Sequence, residues 1–326
     1  MVPLQYVLKK IKRMEKIKFL LFILLAFSTY LNAQVHHVII DADTDNEVDD
    51  LFAIAAALKS DQLEVIGLTA AQWVGRQQTE DEDNPTPCMK YNSAYSSWLL
   101  DIIILQMMER EEIPALKGCE KKVLYKRGDQ NNQPRESEAS RFIIKKALEL
   151  PENEKLTIIS TGSLSNVASA IMLRPEIARK ISLYWLGQTY DFKKNLWTGE
   201  GEFNLANDPD AFDLLCDATD LEFHIIPNNI SGLLKFNNKR SIPRMEGEKG
   251  IGAFLRERWQ TYSDLNPHVI CWAMYDVALI YALINPGWAR EKMVSAPAGS
   301  TNRKVSLYTN INVRKMKKKF RNDFFR

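Results

Sequence analysis

Residues 38–58 read VIIDADTDNEVDDLFAIAAAL, and they combine three different patterns within twenty-one positions. The first three residues are an apolar run typical of a buried β-strand, and from Leu51 onward apolar residues recur at helical spacing. Six carboxylates lie between these two patterns, within residues 41–50. The stretch therefore predicts a strand, an acidic turn and a helix, which is how a β-α-β unit begins.

The same alternation of strand and helix patterns continues along the chain. Because parallel strands need crossover connections, which are usually helices, it predicts an α/β fold with a mainly parallel (Rossmann-like) central sheet and helices on both faces. We find no linker, so residues 34–326 are predicted to form one domain. The predicted strands are 38–40, 65–68, 156–159, 181–186, 221–226 and 305–311, and the predicted helices are 51–58, 91–108, 139–150, 164–173, 210–216, 256–262 and 272–284.

Residues 1–33 have the layout of a secretory signal peptide. Lys16 and Lys18 precede an apolar run over residues 19–27, and Ala33 offers a small residue near a cleavage point. This run is too short to span a bilayer as a helix, which needs about 20 residues. The sequence therefore predicts an exported protein, periplasmic or extracellular, with no stable membrane span after cleavage. A short membrane anchor is the alternative interpretation.

Charge is distributed unevenly along the chain. Residues 1–34 carry six Lys or Arg and one Glu, and residues 303–326 carry nine Lys or Arg and one Asp, although the whole chain has a net charge of only +2. The body between these ends is therefore acidic. Because nucleic-acid phosphates require a positive face, we predict no nucleic-acid partner for the body. The basic carboxyl-terminal end is interpreted as a solvated terminal face or a frayed tail.

The acidic turn places like charges so close together that each raises the pKa of its neighbours unless a positive charge lies among them. A divalent cation that prefers oxygen ligands, Ca²⁺ or Mg²⁺, is the simplest solution. An EF-hand does not fit, because its sixth and twelfth positions require Gly and Glu, where this chain has Asn46 and Phe52. A haloacid dehalogenase-like, Mg²⁺-dependent phosphatase also places two aspartates after its first strand, but it leaves the remaining carboxylates of the turn unexplained.

Four segments, in order along the chain, resemble motifs of the inosine–uridine preferring nucleoside hydrolase family. Asp41-x-Asp43 followed by Asp49-Asp50 is similar to the family's D-x-D-P-G-x-D-D. Residues 161–168 (TGSLSNVA) are similar to T-G-P-L-T-N-x-A, and residues 202–211 (EFNLANDPDA) to E-F-N…D-P-E-A. Residues 275–279 (YDVAL) stand where the family has H-D-P-x-A. The resemblance extends over residues 38–280 and implies a nucleoside-hydrolase-like fold.

The resemblance also implies a function, namely Ca²⁺-dependent hydrolysis of the N-glycosidic bond of a ribonucleoside or related glycoside. It gives Asp43 two roles, as a cation ligand and as the base that deprotonates a metal-bound water. The other implied ligands are Asp50, Asp276 and the backbone carbonyl of Thr161. The residues implied to hold the ribose hydroxyls are Asp49, Glu202 and Asn204.

The chain departs from the family pattern mainly where substrate would bind. Its acidic turn is two residues longer, so an alignment from the aspartate pair backwards makes Asp45 the base, whereas the predicted strand end at Asp41 favours Asp43. The residues expected to replace or add to the family's substrate contacts are Gln72, Asn195, Tyr275 and Trp197. These departures leave open a non-catalytic homologue that binds a cation and a sugar. The expected partner is a small nucleoside or glycoside, and the sequence is compatible with a homo-oligomer.

Overall fold

Strand β1 (His36–Ala42) lies inside the central sheet in a computed structural model of the protein, which describes residues 36–77, 92–199, 201–297 and 303–325. The predicted signal peptide lies outside the described residues. The other strands are β2 (Leu63–Ala70), β3 (Ala115–Leu116), β4 (Leu156–Ser160), β5 (Ile181–Leu186), β6 (Tyr190–Asp191), β7 (Leu196–Trp197), β8 (Glu222–Ile226), β9 (Lys235–Asn237), β10 (Cys271–Ala273), β11 (Ala289–Ser295) and β12 (Lys304–Ile311).

The described α-helices alternate with these strands. They are α1 (Asp49–Leu58), α2 (Ser93–Met107), α3 (Glu138–Glu149), α4 (Ser165–Leu173), α5 (Phe203–Asn207), α6 (Pro209–Asp217), α7 (Asn228–Ser231), α8 (Asn238–Ser241), α9 (Ile251–Leu265), α10 (Tyr275–Ile284) and α11 (Val313–Phe324). Short 3₁₀ helices cover Gly75–Gln77, Pro175–Lys180, Ile242–Met245 and Pro286–Trp288. No helix in these ranges has both the length and the apolar character needed to cross a bilayer.

Eight strands form one sheet in the order β11-β12-β8-β5-β4-β1-β2-β3. Parallel pairing joins β1 to β4, β4 to β5, β5 to β8, β8 to β12 and β2 to β3, whereas β11 runs antiparallel to β12. The mainly parallel sheet predicted from the sequence is therefore confirmed. The sequence pattern does not reveal β11, because this edge strand is mostly exposed and rich in polar residues.

Hydrophobic packing covers both faces of the sheet. Alternate residues of a strand point to opposite faces. Accordingly, Val38 and Ile40 belong to one core cluster, with residues of α1, α2, α9, α10 and α11, whereas Ile39 belongs to a second cluster, with residues of α3, α4 and α6. Residues from His37 onward form one compact unit. The predicted three-layer arrangement, with helices on both faces, is confirmed.

The strand order changes direction at β1, and this places a site. From β1 the chain continues to β2 on one side of the sheet and later returns to β4 on the other side. In open α/β sheets, ligands bind beyond the carboxyl ends of the strands at such a switch point. The acidic turn after β1 and the turn after β4 both lie there, since Asp41 pairs with Ser160 across the two strand ends.

Of the two interpretations of the basic carboxyl-terminal end, the frayed tail is wrong, because residues 313–324 form the ordered helix α11. The solvated face is confirmed for Arg314, Lys315 and Lys318, which are exposed. Met316, Phe320 and Phe324 of α11 recur every four residues and are buried. The Phe320 ring lies 5.3 Å from that of Phe52 on α1 and 4.3 Å from that of Phe236 on β9. The high lysine content conceals this apolar stripe, which has the 3.6-residue period of an amphipathic helix.

The predicted helix over residues 272–284 also needs correction, because its first residues form a strand. Trp272 pairs with Phe236 in the antiparallel β9–β10 ribbon, and the helix begins only at Tyr275. Apolar residues in short runs fit a strand and a buried helix equally well, and here tertiary pairing decides between them.

We predict that Phe320→Ala lowers the free energy of unfolding by about 3–5 kcal/mol, because it leaves a cavity among packed aromatic rings. Lys318→Ala on the exposed side of α11 is the matched control, and it should change stability by less than about 0.5 kcal/mol. Urea denaturation followed by circular dichroism measures both effects. Equal stability of the two variants would contradict the packing of α11.

Candidate metal centre and active site

A cavity of about 180 Å³ opens at the carboxyl ends of β1 and β4. Its described lining is dominated by carboxylates, which come from Asp43, Glu47, Asp49, Asp50, Glu202 and Asp276. The other described residues that line it are Asn46, Thr161, Leu186, Gly201, Phe203, Asn204, Asn228 and Tyr275. Eight of the eleven site residues predicted from the sequence therefore meet in one cavity.

Helix starts position most of these carboxylates. Asp49 and Asp50 occupy the first turn of α1, and Asp276 occupies the first turn of α10. The backbone N–H groups of Tyr275 and Asp276 donate to Asp49 Oδ2 at 2.9 and 3.4 Å. The amino-terminal turn of α10 therefore binds a carboxylate from the amino-terminal turn of α1. Free N–H groups and the helix dipole favour negative charge at such positions.

Three aspartates are close enough to share one cation. Carboxylate oxygens of Asp49, Asp50 and Asp276 lie within 4.8 Å of one another, and all three residues are buried. Asp43 makes side-chain contact with Asp50, and Asp49 makes side-chain contact with Asp276. Two carboxylates in contact require a shared proton or a cation between them.

Unpartnered oxygens test whether a cation fits. Asp43 Oδ2 and Asp49 Oδ1 are buried and accept no hydrogen bond from any described residue. Asp41, only two residues away from Asp43, accepts from Thr69 Oγ1, Ser160 Oγ and Asn166 Nδ2 at 2.7, 3.1 and 2.8 Å. Because buried polar atoms are normally paired, these two oxygens, which belong to lining residues of the cavity, are candidate ligand positions. An all-oxygen donor set fits a hard cation such as Ca²⁺ or Mg²⁺.

The pKa values of the cluster are raised throughout. Burial raises the pKa of Asp43 well above its ordinary value, and the charges of Asp50 and Glu47 raise it further. Burial, followed by the charge of Asp49, raises the pKa of Asp50 to about 7. For Asp276 the same two causes hold the pKa well above its ordinary value. These carboxylates are therefore unstable as anions unless positive charge compensates them.

Thr161 connects the cluster to the substrate side of the cavity. Its hydroxyl donates to Asp50 Oδ1 at 2.7 Å, and its carbonyl accepts from Asn204 Nδ2 at 2.7 Å. The next residue, Gly162, has no side chain, and a Cβ there would lie 2.7 Å from the Cβ of Ala71 and 3.1 Å from that of Asp43. Glycine thus allows the turn after β4 to approach the turn after β1.

The predicted ribose-binding residues are anchored by the backbone. Glu202 caps helix α5, with its two oxygens accepting from the N–H groups of Asn204 and Leu205 at 3.1 and 2.7 Å. Asn204 also donates to the carbonyl of Leu186 at 3.0 Å. Tyr275 is half-buried, and burial together with the charge of Asp49 raises its pKa. The backbone contacts fix the side chains of Glu202 and Asn204 in the wall of the cavity.

Three predicted substrate contacts lie elsewhere. Gln72 is fully buried, and its side chain bonds to Ser165 Oγ, to the carbonyl of Asn207 and to the N–H groups of Val74 and Gly75. Asn195 is exposed in the turn between β6 and β7, with φ near 53°. The Trp197 indole donates to the carbonyl of Ser295 at 2.9 Å. None of these three is among the described lining residues, so the structure does not bring them to the cavity.

The longer acidic turn is held by two helices. Thr44 donates to Asp101 Oδ1 on α2 at 2.6 Å, and Arg258 on α9 forms an ion pair with Asp45 at 3.2 Å. The Tyr262 hydroxyl donates to the carbonyl of Asn46 at 3.1 Å. Asp45 therefore points to a helix, whereas Asp43 lines the cavity.

Six of the fourteen described lining residues were not assigned from the sequence, and Glu47 and Asn228 are two of them. Glu47 lies in the two-residue extension of the turn, and burial followed by the charges of Asp49 and Asp50 raises its pKa to about 8. Asn228 begins α7 directly after β8. The available signal was their position, since each follows the carboxyl end of a parallel strand.

Fold and cavity together define an α/β protein with a carboxylate-rich cavity at the switch point of a mainly parallel sheet. A profile of the inosine-uridine preferring nucleoside hydrolase family matches residues 92–319. Because this match covers more than half of the sequence, the chain belongs to that family.

Individual relatives are distant. The chain is 25% identical over 195 residues to "Probable uridine nucleosidase 2" of Arabidopsis thaliana, covering 53% of this chain and 54% of that protein. It is 26% identical over 189 residues to "Pyrimidine-specific ribonucleoside hydrolase RihA" of Escherichia coli, covering 53% and 55%. The matches thus span about half the length of these relatives.

Solved structures resemble the chain more completely. "Plant nucleoside hydrolase - PpNRh1 enzyme" superimposes with a TM-score of 0.67 at 18% identity, covering 89% of this chain and 99% of that chain. "Inosine-Guanosine Nucleoside Hydrolase (IG-NH)" gives a TM-score of 0.65 at 16% identity, with the same coverage. At such identities the likeness shows a shared fold.

We predict that calcium stabilises the protein more at pH 7 than near pH 5. Without a cation, the pKa of Asp50 is about 3.8 in the unfolded chain and about 7 in the folded protein. The folded protein therefore holds more protons between these pH values, and its free energy of unfolding falls as the pH rises through them. A bound cation reverses this loss because it stabilises only the folded, ionised cluster. Differential scanning fluorimetry with EGTA or with calcium measures the shift in Tm.

Asp50→Asn is the matched control for this experiment, and its calcium-induced shift should be smaller than that of the wild-type protein at pH 7. A wild-type shift that is equal at both pH values, or absent at both, would contradict a carboxylate cation site.

Proposed function

We propose that the protein is a Ca²⁺-dependent hydrolase that cleaves the N-glycosidic bond of a ribonucleoside or a related glycoside. The observation that carries the proposal is the buried contact cluster of Asp43, Asp49, Asp50 and Asp276, which contains two unpartnered oxygens. The family match favours this activity over the phosphatase alternative. The names of the plant and bacterial relatives make uridine a suitable first substrate.

The cation would be held by Asp43, Asp50, Asp276 and the carbonyl of Thr161, with Asp49 close enough to contribute. A divalent cation in this set supplies Lewis acidity, which lowers the pKa of water in its coordination shell. The Thr161 carbonyl already accepts one hydrogen bond, from Asn204, and its second lone pair is open to a ligand.

Asp43 is the proposed general base. Its Oδ2 accepts no hydrogen bond from a described residue, lies inside the cavity and can take up the proton of an attacking water. Asp45 is not suited to this role, because it is ion-paired with Arg258. The structure therefore supports the choice of Asp43 made from the strand end.

The remaining carboxylates match the charge that develops on the sugar. Cleavage of a glycosidic bond passes through an oxocarbenium-like sugar, and fixed negative charge in a desolvated cavity stabilises it. Asp49, Glu202 and Asn204 are proposed to hold the ribose hydroxyls. Their anchoring to helix starts and backbone carbonyls orients them before substrate arrives, which reduces reorganisation during the reaction.

Tyr275 is the proposed contact to the leaving base. Its raised pKa keeps the phenol protonated at neutral pH, so it remains a hydrogen-bond donor. We do not carry Gln72, Asn195 and Trp197 into the proposed site, since their side chains bond elsewhere or lie on the surface. We further propose that the protein is exported, on the basis of the signal-peptide pattern in residues 1–33.

A second candidate is a non-catalytic homologue that binds a cation and a sugar. The observation in its favour is Gln72, whose side-chain amide is fully used by Ser165 and backbone groups and does not replace the family's ribose contact. Ribose release from uridine and inosine, with calcium and with EGTA, separates the two functions. We expect release with calcium and its loss with EGTA; calcium binding without any release would favour the second candidate.

We predict that Asp43→Asn lowers the turnover rate by at least about 10²-fold, because an amide cannot accept the proton. Asp45→Asn is the matched control with the same chemical change two residues away, and it should stay within a few-fold of the wild-type rate. Reducing-sugar release under saturating uridine measures both rates. If the loss occurred in Asp45→Asn alone, the base would be Asp45 and the proposed role of Asp43 would be wrong.

A further inference from the structure

A groove rich in positive charge lies between the segment of residues 235–244 and helix α11. We call it the basic groove. It has a volume of about 550 Å³, within the range of about 300–1,000 Å³ that small-molecule sites occupy. Its cationic lining consists of Lys235, Arg240, Arg244, Lys317 and Arg321. It shares no described lining residue with the acidic cavity.

Two distant parts of the chain contribute to this groove. Residues 235–244 contain four Lys or Arg and no carboxylate, and residues 313–322 contain six Lys or Arg and no carboxylate. Burial of Phe320 and its neighbours on the apolar side of α11 turns Lys317 and Arg321, one helical turn apart, toward the first segment. The fold therefore places side by side positive charges that lie about 75 residues apart in the sequence. Like charges at neighbouring positions repel one another.

None of the lining residues of the groove is acidic, and none of these five cations forms an ion pair within 4.0 Å in the described part of the chain. Other basic residues of the protein do find such partners, as Lys155 does with Glu222 and Lys319 with Asp323. Because the body of the protein is rich in acidic residues, a cluster without them is a segregated charge that attracts anions.

The chemistry of the groove indicates the kind of anion. Three of the five cations are arginines, whose planar guanidinium groups bind phosphate oxygens in pairs. Phe325, which is only partly buried, contributes aromatic surface to the lining, whereas Phe236 is 5% exposed and lies beneath Lys317, whose Nζ is 5.7 Å from its ring centroid. An organic phosphate, which combines a charged group with a flatter or less polar part, matches this combination.

We propose that the basic groove binds a small organic phosphate carrying at least two negative charges, such as a phosphorylated sugar or nucleotide. This site is separate from the acidic cavity and does not depend on hydrolysis there. The concave form of the groove favours a free small molecule over an extended surface ligand. Affinity should decrease with salt, since four of the five cations are exposed to solvent.

The test uses isothermal titration calorimetry of the full chain with inorganic pyrophosphate at low ionic strength. EGTA is present throughout, because pyrophosphate binds calcium and would otherwise report on the acidic cavity. We expect binding that weakens by about tenfold or more in the double variant Arg240→Ala, Arg321→Ala, which removes one guanidinium from each side. Circular dichroism establishes that the variant is folded.

The matched control is the double variant Arg314→Ala, Lys318→Ala, which removes the same charge from exposed positions of α11 outside the groove. It should bind pyrophosphate within about twofold of the wild-type protein, since screening weakens distant charges. Equal weakening in both double variants would overturn the proposal, because general surface charge would then explain the binding. Absence of pyrophosphate binding to the wild-type protein would also overturn it.

A second arm distinguishes a free phosphate from a lipid headgroup. Sedimentation with vesicles of phosphatidylglycerol and phosphatidylcholine is compared for the wild-type protein and both variants. Pyrophosphate binding without groove-dependent vesicle binding supports the proposed small ligand. Vesicle binding that depends on Arg240 and Arg321, without pyrophosphate binding, would assign the groove to a membrane surface and overturn the small-molecule site.

Discussion

Desolvation of several aspartates in one small volume is the constraint on which the rest of this structure depends. A buried carboxylate without compensation costs several kcal/mol, and contact between two carboxylates adds repulsion to that cost. The aspartates lie after the carboxyl end of β1 and in the first turns of α1 and α10. Backbone N–H groups of α10 and the Thr161 hydroxyl offset the desolvation cost only in part. This arrangement is unfavourable without compensating positive charge, and this is the physical basis on which we propose a cation there.

Neighbouring aspartates of the same turn differ in how completely their side chains are hydrogen-bonded. Asp41 and Asp43 are both buried and only two residues apart. Three side-chain donors from β2, β4 and α4 surround Asp41, so that it joins the strand ends together. Asp43 keeps an oxygen without any such donor in the described structure. Both side chains are almost equally removed from solvent, so the difference between them lies in the number of hydrogen-bond donors that surround each one.

The sequence was sufficient for most of the fold because strand and helix periods alternate so regularly in it. It was also sufficient for part of the cluster, because strand ends in a parallel sheet meet at one edge and bring Asp43 and Thr161 together. Asp276 follows β10 of the separate antiparallel ribbon, so only the family resemblance indicated it. The sequence was insufficient where the direction of a side chain decides whether a residue lines the cavity. Gln72 follows β2, but its side chain is buried and forms hydrogen bonds with backbone groups instead. Amphipathic α11 was concealed for a related reason, since its lysines dominate the composition while only every fourth residue is apolar.

Long-range packing makes the acidic site depend on the end of the chain. Helix α1 begins with Asp49 and Asp50, and Phe52 in its first turn packs against Phe320 and Phe324 of α11 at ring distances of 5.3 and 5.0 Å. Packing against α11 therefore helps to fix the position of Asp49 and Asp50, although α11 contributes no residue to the described lining of the cavity. Because protein interiors are closely packed, a shift of α11 would displace α1 and with it the spacing of the clustered aspartates. The basic terminus is thus part of the scaffold that holds the negative cluster in place.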